Sequence, residues 1–179
     1  MLQGEITLEE NEHSVSLGFL RPGKYGHYER ERRWLVETLP DLPPLRVYDI
    51  TDRYLENSRL RLRHMQGHGI ADEMKLTKKG ELSADTRIIT TIYLDQAEFA
   101  LLSNLPGRQI MKRRHYFEGS PEIAVDVFQG NNTGLIMAEV EFTSPKRLKS
   151  YRPPNWVGQE VTDEKTFSGG YLCGTKASL

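Results

Sequence analysis

Charged side chains recur at every second position in five separate stretches of this chain, and they are largely sorted by sign. Glu29, Glu31 and Arg33 form one set, Arg59, Arg61 and Arg63 a second, and Lys75 with Lys79 a third. Lys112 with Arg114, and Glu139 with Glu141, complete the pattern. Along a β-strand, residues two apart share a face, so each set projects from one side of its strand. A half-exposed sheet with a solvated face also shows charges at this spacing. Such faces normally mix signs, because like charges side by side repel. Here two strands carry paired carboxylates and three carry only cations, which costs stability unless a ligand neutralises each cluster. The four carboxylates suit a hard divalent cation such as Mg²⁺ or Mn²⁺. The Arg and Lys rows suit a polyanion bearing phosphate groups. Neighbours on one face lie about 6.6 Å apart at about 3.3 Å per residue, so successive cations reach successive phosphoryl groups.

The elements that must carry these residues read as short strands. Beyond one starting near Tyr25, strands are predicted over 45–55, 59–65, 74–79, 86–94, 109–117, 123–129 and 135–142. Turn-like sequences separate them, such as Gln66-Gly67-His68-Gly69 and Gly130-Asn131-Asn132-Thr133-Gly134. Many short strands at near-regular spacing predict an antiparallel sheet or barrel. Helices are predicted over 95–105, opened by an Asp N-cap, and over 144–151, opened by Ser-Pro. A closed barrel of about eight strands has room inside for a small ligand. A charged lumen then implies an apolar outer wall in need of cover.

The expected domain organisation is a polar extension over 1–23, with a weak strand signal at 14–19, one domain over 24–172, and a tail over 173–179. Across 179 residues, 24 Lys+Arg balance 25 Asp+Glu. That balance argues against a general nucleic-acid or membrane-surface binder. The Arg59–Arg63 row taken alone could be a nucleic-acid patch, but the carboxylate clusters make this the weaker account. The acidic first residues are unlike a signal peptide, no stretch reaches the ~20 apolar residues of a membrane span, and a cytoplasmic location is expected. The single cysteine, Cys173, has no partner for an internal disulfide. His64 and His68 stand four apart but fall at a strand end and in a glycine loop, a poor setting for a metal pair. His115 faces away from Lys112 and Arg114. Lys75 and Lys79 share parity, and parity alone leaves open which of them reaches the lumen.

Taken in order, the motifs resemble the CYTH domains of the triphosphate tunnel family. Glu29-Arg-Glu31-Arg-Arg33 is similar to the opening E-x-E-x-K signature, and Asp52-Arg53-Tyr54-Leu55 with Leu60-Arg61-Leu62-Arg63 to the second motif. Leu76-Thr77-Lys78-Lys79, Ile110-Met111-Lys112-Arg113-Arg114, Val125-Asp126-Val127-Phe128, Gly134-Leu135 and Glu139-Val140-Glu141-Phe142 follow in register. Trp156 to Thr162 is similar to the closing segment, so the likeness runs from about 24 to 172.

The resemblance implies a mainly β fold, a closed eight-stranded antiparallel tunnel with a few flanking helices, that binds triphosphate with divalent metal. Members hydrolyse inorganic or thiamine triphosphate, cyclise ATP, or cap RNA. Carried over, Glu29, Glu31, Glu139, Glu141 and Asp126 would hold Mg²⁺ or Mn²⁺, while Arg33, Arg61, Arg63, Lys79, Lys112 and Arg114 would hold phosphates. The expected activity is metal-dependent hydrolysis of a small triphosphate, inorganic triphosphate first and ATP or another triphosphate after it. The alternatives are an adenylate cyclase forming cyclic AMP and a non-catalytic triphosphate or polyphosphate binder. No general base is assigned, and assembly as a homodimer is left open. Two departures bear on turnover. Arg33 stands where the signature has Lys, and a guanidinium stays protonated. Arg87 is followed by Ile88-Ile89-Thr90-Thr91 in place of R-x-E-x-E, which implies one metal or a weak second one.

Overall fold

In the computed structural model, which describes residue 22 and residues 24–175, the alternating stretches close on themselves. The strands are β1 (His27–Leu35), β2 (Arg46–Leu55), β3 (Leu60–Gly67), β4 (Glu73–Glu81), β5 (Thr86–Tyr93), β6 (Gly107–Phe117), β7 (Ile123–Phe128) and β8 (Ile136–Glu141). They form a closed antiparallel barrel in the order β1-β5-β4-β3-β2-β6-β7-β8, with β8 pairing back to β1. Among the described residues three short α-helices accompany it: α1 (Gln96–Ser103), α2 (Pro145–Ser150) and α3 (Gly169–Leu172). The predicted strands and both predicted helices form within a few residues of their expected limits. The extension's strand signal at 14–19 lies outside the described residues.

Local chemistry accounts for the element ends. Between β2 and β3, Asn57 adopts φ 53°, a left-handed turn conformation that Asn tolerates. Ser58 Oγ donates to Leu55 O at 3.0 Å and accepts from Leu60 N at 3.1 Å, tying that turn shut. At α1, Asp95 accepts from Glu98 N at 2.8 Å while the Glu98 carboxylate accepts from Asp95 N at 2.9 Å, a reciprocal capping box.

Closure puts one face of every strand inside. Odd positions of β1, β3, β4, β5 and β8, and even positions of β2, β6 and β7, face the lumen. Opposite them, Trp34, Phe117, Ile123, Val125, Ala138 and Val140 form an apolar cluster on the outer wall of β6-β7-β8-β1. Its cover is mostly irregular chain. Leu148 of α2 packs there together with Tyr151, Trp156 and Val157. Each large side chain buried in this way contributes roughly 1.5–3 kcal/mol. The covering segment is pinned to β1 by Gly158 N to Leu35 O and Val161 N to Arg33 O, both 2.8 Å. The need for cover is therefore met by a segment with little helix. The outer face of β2-β6 is polar instead, with Arg113 donating to Asp49 at 2.8 Å.

Inside, apolar groups collect at both ends of the charged belt. Ile110, Phe128, Leu135 and Met137 meet Val161 and Leu172 at one end, and Tyr48, Ile50 and Met65 cluster at the other.

Candidate functional site: a charged lumen with two openings

The belt between those apolar layers holds the cations and acids singled out by spacing. Asp52 on β2 is buried and accepts two hydrogen bonds from Arg63 on β3, both 2.6 Å. Arg61 Nε stands 3.7 Å from the same carboxylate. Asp126 on β7 is 0% exposed and accepts from Arg114 Nε and Nη2 at 2.6 Å each, and from Lys112 Nζ. Arg114 also donates to Glu139. These are charge-assisted fork contacts, which fix a guanidinium in one orientation. Burial opposes the charge on Asp52, but Arg63 and Arg61 outweigh it and hold its carboxyl far below the usual range. Glu139 is also held well below it, with burial offset by Lys112 and Arg114.

The acids of β1 and β8 are placed differently. Glu29 accepts from Lys79 at 2.7 Å and Glu31 from Arg87 at 2.5 Å. Register sets Glu31 directly opposite Glu141. The Glu141 side chain has no hydrogen bond or ion pair among the described residues. Burial, and then the neighbouring charges of Glu29 and Glu31, push its carboxyl up. Burial works against the charge of Glu29 too, yet Lys79, Arg61 and Arg87 keep its carboxyl below the usual range. Lys79 is itself pushed down by burial and by Arg61, against the pull of Glu29.

Two cavities open from the belt. The first, about 550 Å³, is lined by Arg33, Arg61, Arg63, Lys79 and Lys112 together with Arg59 and Arg87. Phe167 to Gly170, from the C-terminal segment, complete its wall. Gly169 comes so close there that a Cβ would stand 2.2 Å from Tyr54 Oη. Inside, two buried nitrogens lack any hydrogen-bond partner, Arg33 Nε and Arg61 Nε. A buried donor left unpaired costs about 1–3 kcal/mol, and an anionic oxygen would satisfy both. The second cavity, about 480 Å³, opens elsewhere on the barrel beside Arg46, Tyr116, Glu122 and Glu141. Arg114 reaches it too, and Glu31 and Glu139 border both cavities.

Most residues picked out by spacing thus meet in one lumen. Asp126 is engaged with Lys112 and Arg114, away from Glu29, Glu31 and Glu141. Arg33 keeps luminal parity but donates to Thr162 O at 2.9 Å and Phe167 O at 2.8 Å, anchoring the C-terminal segment. Lys75 pairs with Glu73 at 2.6 Å and lies over Tyr93, so Lys79 is the β4 lysine that lines the first cavity. His64 and His68 are apart, bonded to Asp72 and Asp49 respectively. Two luminal residues went unassigned by spacing. Asp52 stands alone among apolar luminal neighbours, and Arg87 alone on its strand. The pairing of Arg87 opposite Glu29 is the signal that finds it.

The donor set bears on a metal. Among the described residues, no three His, Cys, Asp or Glu side chains already converge as a metal cage. Lys79 and Arg87 hold Glu29 and Glu31 in ion pairs, which explains that spacing. An all-oxygen set with mutually repelling members nonetheless fits a hard divalent ion.

No family model matches the chain. It is 34% identical over 152 residues to an inorganic triphosphatase from Nitrosomonas europaea, covering 80% of this chain and 95% of that protein. An inorganic triphosphatase from Acetivibrio thermocellus is 30% identical over 105 residues, 56% of this chain and 65% of that one. The crystal structure of the inorganic triphosphatase NE1496 superposes with a TM-score of 0.55 at 28% identity, covering 84% of this chain and 95% of that one. The PH1819 protein of Pyrococcus horikoshii, at 19% identity and a TM-score of 0.50, shares the fold over 68% of this chain and 82% of that one. With the barrel, its charged lumen and these relatives in agreement, the chain belongs to the CYTH-type triphosphate tunnel family.

Proposed function

We propose that this chain is a divalent-metal-dependent hydrolase that cleaves inorganic triphosphate to pyrophosphate and orthophosphate. The observation that carries the reading is the first cavity, where cations crowd together and two buried Arg nitrogens lack partners, with Glu31 and Glu139 on the same wall. The similarity to two inorganic triphosphatases points to the same substrate.

Arg61, Arg63 and Lys112 grip the phosphates and offset charge that develops on the transferring group, while Arg114, held by Asp126 and Glu139, backs that row. Asp52 and Asp126 hold Arg63 and Arg114 in place before substrate arrives, so little reorganisation is left for the reaction. Asp126 therefore serves the cations, and the metal falls to Glu29, Glu31 and Glu141, with Glu139 beside them. Mg²⁺ and Mn²⁺ both suit this oxygen set. When bound, such an ion polarises phosphoryl oxygens and helps orient an attacking water. As phosphate draws Lys79 and Arg87 away, Glu29 and Glu31 become free to act as ligands. Arg33 stays protonated and does not act as a base.

Orthophosphate release from inorganic triphosphate and from ATP, with Mg²⁺ and with Mn²⁺, tests the reading. Rapid release from triphosphate, lost in a Glu29→Ala/Glu31→Ala double variant, is the expected result. Cyclic AMP and pyrophosphate from ATP would replace it with a cyclase. Binding of triphosphate without any product would leave a binding protein.

A further inference from the structure

We propose that the two openings divide their traffic by charge, the polyphosphate anion arriving through the first cavity and the divalent cation through the second. The proposal rests on the hydrolase reading above and adds the routes by which its two ligands reach the belt.

The linings have opposite sign. Among the described residues, seven cations and four acids line the first cavity, whereas two cations and four acids line the second. What matters further is which charges are already spent. In the second cavity both cations are engaged. Arg46 donates to both Glu122 oxygens, the shorter contact 2.6 Å, and stacks 3.9 Å from the Tyr116 ring centroid. Arg114 is held by Asp126 and Glu139. Beside them the Glu141 side chain, partly reached by solvent, has no hydrogen bond or ion pair among the described residues. In the first cavity the surplus is positive. The Arg59 side chain, in the same lining, has no hydrogen bond or ion pair among the described residues, and the Arg61 guanidinium has only the 3.7 Å approach to Asp52.

Between the two spaces lie Glu31 and Glu139, which border both and are tied to Arg87 and Arg114. An ion crossing the second cavity therefore meets Glu141 and then Glu31, and of the cation rows it passes Arg114, which Asp126 and Glu139 already hold. Low-dielectric walls focus the field of such linings, so each opening attracts one sign and repels the other. Space is sufficient, since six waters at about 30 Å³ each take roughly 180 Å³ against about 480 Å³ in the second cavity.

The test follows Mn²⁺ association by stopped flow, with a non-hydrolysable imido analogue of triphosphate as the anion probe. Glu122→Lys reverses one charge in the second cavity, away from the belt. It is expected to slow Mn²⁺ association about 3–10-fold at low salt and under about twofold at 0.5 M salt. Turnover at saturating Mn²⁺ stays unchanged. Arg59→Glu slows the analogue and leaves Mn²⁺ alone. Saturating the wild-type protein with the analogue leaves Mn²⁺ exchange open. Thr143→Lys, in the same cavity, replaces Glu122→Lys if that variant does not fold. The division of routes is overturned if bound analogue blocks Mn²⁺ exchange, or if neither lysine variant slows Mn²⁺ at low salt, while turnover remains intact. A wild-type protein that takes up no Mn²⁺ and releases no orthophosphate would bring down the hydrolase reading, and this inference with it.

Discussion

Two groups of acids share one lumen and live under opposite conditions. Asp52 and Asp126 sit on β2 and β7, fully enclosed, each beside two cations. Glu29, Glu31 and Glu141 sit on β1 and β8, two of them with one strong cation contact and the third with none. The first group shapes the cation rows, and each of its carboxylate oxygens already accepts from a guanidinium. The second group is crowded with its own kind and open to the second cavity at Glu141. An acid in a binding site can thus serve as scaffold or as ligand, and the count of cations around it separates the two. Burial alone does not, because the Glu29 side chain is only 13% exposed and is still among the proposed ligands.

The widest gap between the groups should appear on removal of one member from each. Asp126→Ala leaves Lys112 and Arg114 buried without their acid and should cost about 3–5 kcal/mol, read by urea unfolding. Glu141→Gln should leave stability within about 0.5 kcal/mol while cutting orthophosphate release by about 10²–10³-fold. Equal destabilisation by the two changes would erase the distinction.

Acid titration sharpens the same comparison. Carboxyls held below their ordinary range, such as Asp52 and Glu139, contribute stability that is present above that range and lost as pH falls through their lowered values. Glu141 behaves in reverse. Its raised carboxyl binds a proton more tightly in the folded state, so stability falls as pH rises from the ordinary glutamate range to the raised value. Urea midpoints between pH 3 and 7 should therefore show a shallower acid limb in Asp52→Asn, while Glu141→Gln should lose the opposing slope. An unchanged pH profile in both would break the assignment.

Arg33→Lys comes next in size. It removes two donors to the C-terminal segment and should cost about 1–2 kcal/mol, with faster amide exchange concentrated at 162–172. If exchange instead rises evenly around the barrel, Arg33 is not the anchor of that segment. The smallest effect lies outside the lumen. Asp95→Ala deletes the α1 cap and should cost about 1 kcal/mol, with orthophosphate release unchanged. Loss of activity there would show that the belt is not insulated from the outer wall.

Strand parity carried much of this site. Side chains two apart must share a face, so Glu29-Glu31-Arg33, Arg61-Arg63, Lys112-Arg114 and Glu139-Glu141 were legible before any fold was known. The α1 cap was legible for the same kind of reason, since Asp95 and Glu98 act within one turn. Arg87 and Asp52 were not, because each is a lone charge on its strand and gains meaning only from a partner across the sheet. The destination of Arg33 was hidden as well. Its acceptors, Thr162 and Phe167, lie more than 120 residues away in a segment without periodic pattern.

The sequence by itself determined which residues face together, where the strands and capped helices fall, and that cations and acids would need a ligand of each sign. These follow from local backbone geometry and the repulsion of like charges. Only the tertiary structure decided which acids two cations enclose and which lack that cover, and that the lumen has two openings of opposite sign. Both depend on strand order and closure, which set non-local neighbours and the burial around each charge, and burial governs how strongly two charges act on one another.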